Sequence, residues 1–246
     1  MNTKVVPGSL IAVPGKEEVS AEAADRIERA ITDGVRNRGT VVVALSGGNT
    51  PKDTYARLAK RPVDWSKVLW VFVDERAVPP TSDRSNFHMV NEALFLPAKV
   101  PAENILRMQG EAADLEAEAA RYESELRAKI RLKKDGQPNI DVVILGIGDD
   151  GHTASLFPGE PTVAITDKLV AAVPAKDARE ARLTLTLPIL EVARATFILA
   201  VGASKHEPLE RVWQVQGDVS VTPARIVKSF RGAVTWIIDR AAGGLG

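Results

Sequence analysis

Eight short apolar runs punctuate the chain, at 10–13, 41–45, 68–73, 142–145, 169–173, 183–187, 197–201 and 234–238. Most carry no polar alternation. A half-exposed strand alternates apolar and polar residues, whereas an unbroken apolar strand needs cover on both faces. Segments of helical period lie between the runs. Ser20 is a candidate cap for a helix reaching about Arg38, with Ala24, Ile27, Ile31 and Val35 on one stripe. A second helix, from about Asp114 to Lys133, lines up Leu115, Tyr122, Leu126 and Ile130. A third covers about 205–215, and shorter ones start at Pro51, Ser85, Pro188 and Pro223. This alternation predicts an α/β fold, a mostly parallel sheet flanked by helices on both faces, read here as one domain over residues 1–246. The tract KKDGQP at 133–138 reads as a helix-to-strand turn.

Composition narrows the partners. Lysine plus arginine equals aspartate plus glutamate at 32 each, which argues against nucleic acid or an anionic membrane. No apolar run approaches the roughly 20 residues of a membrane-crossing helix. The absence of cysteine removes disulfides, thiol nucleophiles and thiolate metal sites, and suits a cytoplasmic protein.

The stretch VVVALSGGNTP, 41–51, ends a buried strand in two glycines and small polar residues. Thr50 reads as a helix cap, Pro51 as the first helical residue, and Asp53 as its capping-box partner. Gly47 and Gly48 leave bare backbone, while Ser46, Asn49 and Thr50 add donors. Such a junction seats a phosphate. The spacing is neither G-x-G-x-x-G nor G-x-x-x-x-G-K-[ST], so a single sugar phosphate fits better than a nucleotide.

The run at 68–73 leads into DERAVPPTSDRSNF, placing Asp74, Glu75 and Arg76 at a strand's carboxyl end, where open α/β sheets bind ligands. Arg76 offers two parallel donors to a phosphate. Asn86 either hydrogen-bonds sugar hydroxyls or merely starts the helix capped by Ser85.

In DVVILGIGDDGHTASLFPG, glycines thread around Asp149, Asp150 and His152 at another strand end. The chain has three histidines, and His88 and His206 lack such surroundings. A neighbouring carboxylate orients an imidazole and stabilises its charged form, so His152 is the candidate base, Asp150 its orienting partner and Asp149 the less favoured alternative. No second histidine stands at metal-ligand spacing, and no G-x-S-x-G elbow occurs.

Taken together, LSGGNTP, VDERAVPP…SN, LGIGDDGHTASLFPG, RLTLTLPIL, VGASKHEPLERV and PARIV…WIIDRAA resemble, in order, the signatures of the 6-phosphogluconolactonase family. That resemblance implies the fold of glucosamine-6-phosphate deaminases and ribose-5-phosphate isomerases, no metal or organic cofactor, and a small sugar-phosphate lactone as substrate. It implies His152 as base, the loop of Ser46, Gly47, Gly48, Asn49 and Thr50 on the phosphate, Arg76 and Lys205 facing it, and Arg182 near the pocket. The chain departs from the family pattern at Arg84, where aspartate is common, and at KDAREA, where prolines are common. A deaminase differs by HIAFNEPG in place of HTASLFPG and by tyrosine in place of Arg76. A non-catalytic sugar-phosphate sensor would normally carry a DNA-binding segment.

Overall fold

The computed structural model describes residues 3–130 and 139–245. Among the described residues nine strands form two sheets: β1 (Ser9–Val13), β2 (Val41–Leu45), β3 (Val68–Phe72), β4 (Asp74–Arg76), β5 (Val142–Gly146), β6 (Val170–Val173), β7 (Arg182–Leu185), β8 (Ala195–Ala200) and β9 (Ala233–Asp239). The helices are α1 (Lys16–Arg38), α2 (Asn49–Leu58), α3 (Asn86–Val90), α4 (Leu96–Ala98), α5 (Leu115–Lys129), α6 (Leu187–Leu190) and α7 (His206–Trp213). A π-helical turn, Asn91–Phe95, joins α3 to α4. No helix among the described residues is long and apolar enough to cross a membrane.

The larger sheet has six strands in the order β1-β9-β8-β5-β2-β3, every pair parallel. Its inner strands are the unbroken apolar runs, and β2 is buried along its whole length. From β2 the chain steps outward to β3, whereas from β5 it steps the other way to β8 and β9. The loops leaving β2 and β5 therefore part company, and a crevice opens between them at the carboxyl edge. This crevice positions the site.

Two runs expected in the main sheet lie elsewhere. β6 and β7 pair antiparallel with each other, and β7 pairs with β4, forming a separate three-stranded sheet. Val73 is the joint. Its N–H donates to Leu45 O at 2.9 Å and its carbonyl accepts from Leu185 N–H at 2.7 Å. Apolar composition alone does not say which of two sheets receives a strand.

Helix boundaries also shift. α1 begins at Lys16 because its buried stripe opens at Val19, so Ser20 lies buried within the helix. The second helix starts near the expected position, and Asp114 is its N-cap, its carboxylate accepting from the N–H groups of Glu116 and Ala117, both at 3.0 Å. Ser85 caps α3, accepting from His88 N–H. α5 stops at Lys129, short of the expected Lys133, because Ile130 is extended at its C-cap; the turn expected at 133–138 lies outside the described residues. α2 starts at Asn49 with Gly48 at its N-cap and no side-chain cap, so Thr50 is not the cap and Pro51 is not the first helical residue. Asp53 closes no capping box.

Candidate active site

One cavity of about 510 Å³ opens at the crevice. It is lined by the whole loop Ser46, Gly47, Gly48, Asn49 and Thr50, and by Asp74, Arg76, Asn86, His152 and Lys205. Residues from the ends of β2, β3, β5 and β8 thus converge on a volume typical of a small-molecule site.

On the β2 side the loop is held from behind. Tyr55 Oη donates to Ser46 O at 2.9 Å and accepts from Ser46 N–H at 3.1 Å. Ser46 Oγ donates to Ile144 O at 2.7 Å, so its proton is spent on the sheet instead of on a ligand. The first bond of α2 runs from Lys52 N–H to Gly48 O. The preceding N–H groups are left to whatever anion enters, at the positive end of the helix. Gly47 cannot carry a side chain, because a Cβ there would stand 1.8 Å from Asn86 Oδ1.

Asn86 is buried, and its amide donates to Asp74 O at 2.9 Å and to Asp74 Oδ1 at 3.2 Å. Asp74 Oδ2 accepts from Ser155 Oγ at 2.6 Å. Both carboxylate oxygens are therefore engaged by neutral donors. Glu75 points away from the cavity into the protein and is 2% exposed. It accepts from the N–H groups of Arg76, Asn86 and Phe87 and from Ser85 Oγ, at 2.7 to 3.0 Å. This carboxylate fixes the start of α3, and with it Asn86.

Arg76 Nη1 donates to Arg84 O, while its Nε is buried without a partner. A buried unpaired donor on a cavity wall is costly unless a ligand meets it. Arg182 does not line the cavity. It is the register partner of Arg76 across β4 and β7, and burial followed by the Arg76 charge pushes its guanidinium below the usual range. Arg84 pairs with Glu180.

On the β5 side, Gly148 N–H donates to His152 O at 2.8 Å and Gly151 N–H to Gly148 O at 3.0 Å, closing a tight loop. A Cβ on Gly148 would stand 2.1 Å from His152 Nδ1, so the bare glycine lets the imidazole lie flat on the turn. Asp150 Oδ1 accepts from His152 N–H at 2.9 Å and lies 2.6 Å from His152 Nδ1. A carboxylate only accepts, so Nδ1 carries a proton and Nε2 is the free nitrogen of the neutral ring. Burial pushes the Asp150 carboxyl up, but the His152 hydrogen bonds outweigh it and bring it down to about 2. The ring packs on Phe157, centroids 4.7 Å apart, and the Arg179 guanidinium lies over the Phe157 ring at 4.0 Å.

Asp149 has a different task. Its Oδ1 accepts from Lys205 Nζ at 2.6 Å and from Ser204 Oγ at 3.1 Å, and Lys205 is the chief cause holding its carboxyl below the usual range. The two adjacent aspartates thus serve one imidazole and one ammonium. His88 and His206 do not line the cavity. Sequence reasoning missed Tyr55, Ser155 and Lys16. Ser155 sits inside the histidine motif, whereas Tyr55 and Lys16 gave no local signal.

Fold and site define a class: an open parallel α/β protein whose ligand residues gather where two strand series diverge. The sequence profile described as glucosamine-6-phosphate isomerases/6-phosphogluconolactonase matches residues 14–236, and the chain belongs to that family. It is 38% identical over 213 residues to 6-phosphogluconolactonase of Synechocystis sp. (strain ATCC 27184 / PCC 6803 / Kazusa), covering 87% of this chain and 88% of that one. The crystal structure of 6-phosphogluconolactonase from Leishmania guyanensis superposes with a TM-score of 0.86 at 27% identity, covering 97% and 98% of the two chains. A monomeric glucosamine-6-phosphate deaminase shares the fold, with a TM-score of 0.81 at 22% identity over 97% and 100%.

Proposed function

We propose that this protein hydrolyses 6-phospho-D-glucono-1,5-lactone to 6-phospho-D-gluconate in the oxidative pentose phosphate pathway. One observation carries the reading: the glycine loop and the His152 ring line the same cavity, so one phosphorylated sugar can touch both. The similarity to named 6-phosphogluconolactonases supports the substrate. The phosphate sits on the loop of Gly47, Gly48, Asn49 and Thr50 at the start of α2, with Arg76 and Lys205 beside it. Arg182 acts behind Arg76 through its charge. At the other end His152 Nε2 takes a proton from water as its oxygen attacks the lactone carbonyl. Backbone N–H groups of a glycine-rich loop, or a nearby cation, receive the oxyanion. The carbonyl carbon then releases the ring oxygen, which takes the proton back from His152. No cofactor enters. A chain without cysteine suits a reducing compartment, and we place the activity in the cytoplasm.

The test is lactone hydrolysis followed by acid release against the spontaneous background. Turnover no faster than background, or ammonia released from glucosamine 6-phosphate, overturns the reading. Arg76→Met is expected to raise KM about tenfold or more while kcat changes less than about threefold, since the phosphate is remote from the bond that breaks.

Asp150 supplies a further prediction. With its carboxyl held at about 2, it stays ionised through the whole working range and keeps its hold on the Nδ1 side of the His152 ring. Asp150→Asn is expected to lose about tenfold in kcat as the ring orientation loosens. An unchanged kcat would show that the carboxylate does not orient the ring.

A further inference from the structure

Lys16 lines the same cavity as the glycine loop and Lys205, and nothing in its own helix explains why it is a lysine. It is the first residue of α1, where the macrodipole disfavours a cation, while the acidic residues that suit this turn, Glu17 and Glu18, follow it. Its N-cap, Gly15, makes no side-chain cap bond. The Lys16 ammonium is held only by Asp53, Nζ to Oδ2 at 2.6 Å, and the two side chains are 48% and 45% exposed. An ion pair so open to solvent stabilises the fold little and exchanges partners readily. Asp53 is the residue whose sequence position suggested a capping box, and α2 does not use it as one.

We propose that Lys16 is a third cation for the substrate phosphate, parked on Asp53 while the cavity is open to solvent and handed to the dianion when it arrives. This rests on the phosphate seat proposed above. Asp53 then has an effect opposite in sign to that of Lys16. It competes for the ammonium and places a negative charge near the incoming dianion, so it weakens binding. A mere surface ion pair predicts something else, namely that removing either partner has the same small effect on stability and none on KM.

The experiment compares wild type, Lys16→Met, Lys16→Arg and Asp53→Asn on 6-phospho-D-glucono-1,5-lactone and on unphosphorylated D-glucono-1,5-lactone. Lys16→Met is expected to raise KM for the phosphorylated lactone about fivefold with kcat retained, and to leave the unphosphorylated lactone unaffected. Lys16→Arg restores most of the loss. Asp53→Asn lowers KM about twofold, as expected when a competing charge is removed. A second readout does not need lactonase chemistry. Inorganic phosphate is expected to raise the thermal midpoint of the wild type, less so in Lys16→Met and more so in Asp53→Asn. Absence of lactone turnover with this phosphate pattern intact defeats the lactonase reading and leaves the Lys16 assignment standing. An unchanged KM and phosphate response in Lys16→Met, or shifts of the same sign in both single variants, overturns the assignment.

Discussion

His152→Ala is expected to lower kcat on the phosphorylated lactone about a thousandfold, within the range one positioned general base contributes, while KM stays within about twofold. Nδ1 is committed to Asp150 at 2.6 Å, so only Nε2 is free to take a proton from water. Asp74, a carboxylate on the cavity wall, already accepts from Ser155 and Asn86 and is poorly placed to substitute. The glycine loop keeps its own bracing, because Ser46 is held by Tyr55 Oη and Ile144 O through bonds that do not involve the His152 side chain. His152→Asn is the sharper variant, since it keeps polarity and much of the volume while removing the titrating nitrogen. Steady-state rates with the spontaneous hydrolysis subtracted decide the matter. A retained kcat would move the base elsewhere, and a large rise in KM would make His152 a binding residue.

What could be read from residues alone follows the range of each interaction. The parallel sheet was legible because a strand covered on both faces must be apolar throughout, and β2 and β5 are. The Asp150–His152 pair was legible because only Gly151 separates the partners, within a glycine turn. The tasks of Asp149 and Ser46 were not legible. Asp149 meets Lys205 56 positions away, and Ser46 gives its proton to Ile144 98 positions away. No local pattern encodes such pairs. The start of α2 failed for a related reason: Thr50 and Pro51 carry the right propensities, but the fold begins the helix at Asn49 so that its open N–H groups face the crevice. The three-stranded sheet was hidden because β4 reads as Asp-Glu-Arg, a polar turn by composition, and becomes a strand only when β7 pairs with it.

Glu75 is the residue whose loss should cost the fold most for a single polar side chain. Glu75→Ala is expected to destabilise by about 4 kcal/mol, in the range of a broken buried hydrogen-bond network, and to lower the thermal midpoint by about 10 °C for a chain of this size. Four donors lose their acceptor together, three of them backbone N–H groups, at a site 2% exposed. Two of those N–H groups open α3, so the carboxylate also serves as the anion at a helix start. Glu75→Gln separates the two contributions. It preserves volume and one acceptor, but turns an amide N–H₂ toward N–H groups, so it should recover only part of the loss. The functional consequence follows from the same geometry. Asn86 is fixed by Glu75 through its N–H and by Asp74 through its side chain, and Gly47 packs directly on its amide. Loosening the start of α3 therefore moves the floor of the glycine loop. KM should rise in Glu75→Gln even at temperatures where the variant is fully folded. Denaturant unfolding beside KM at 15 °C checks both halves. Full stability in the alanine variant would mean that water replaces the carboxylate at no cost.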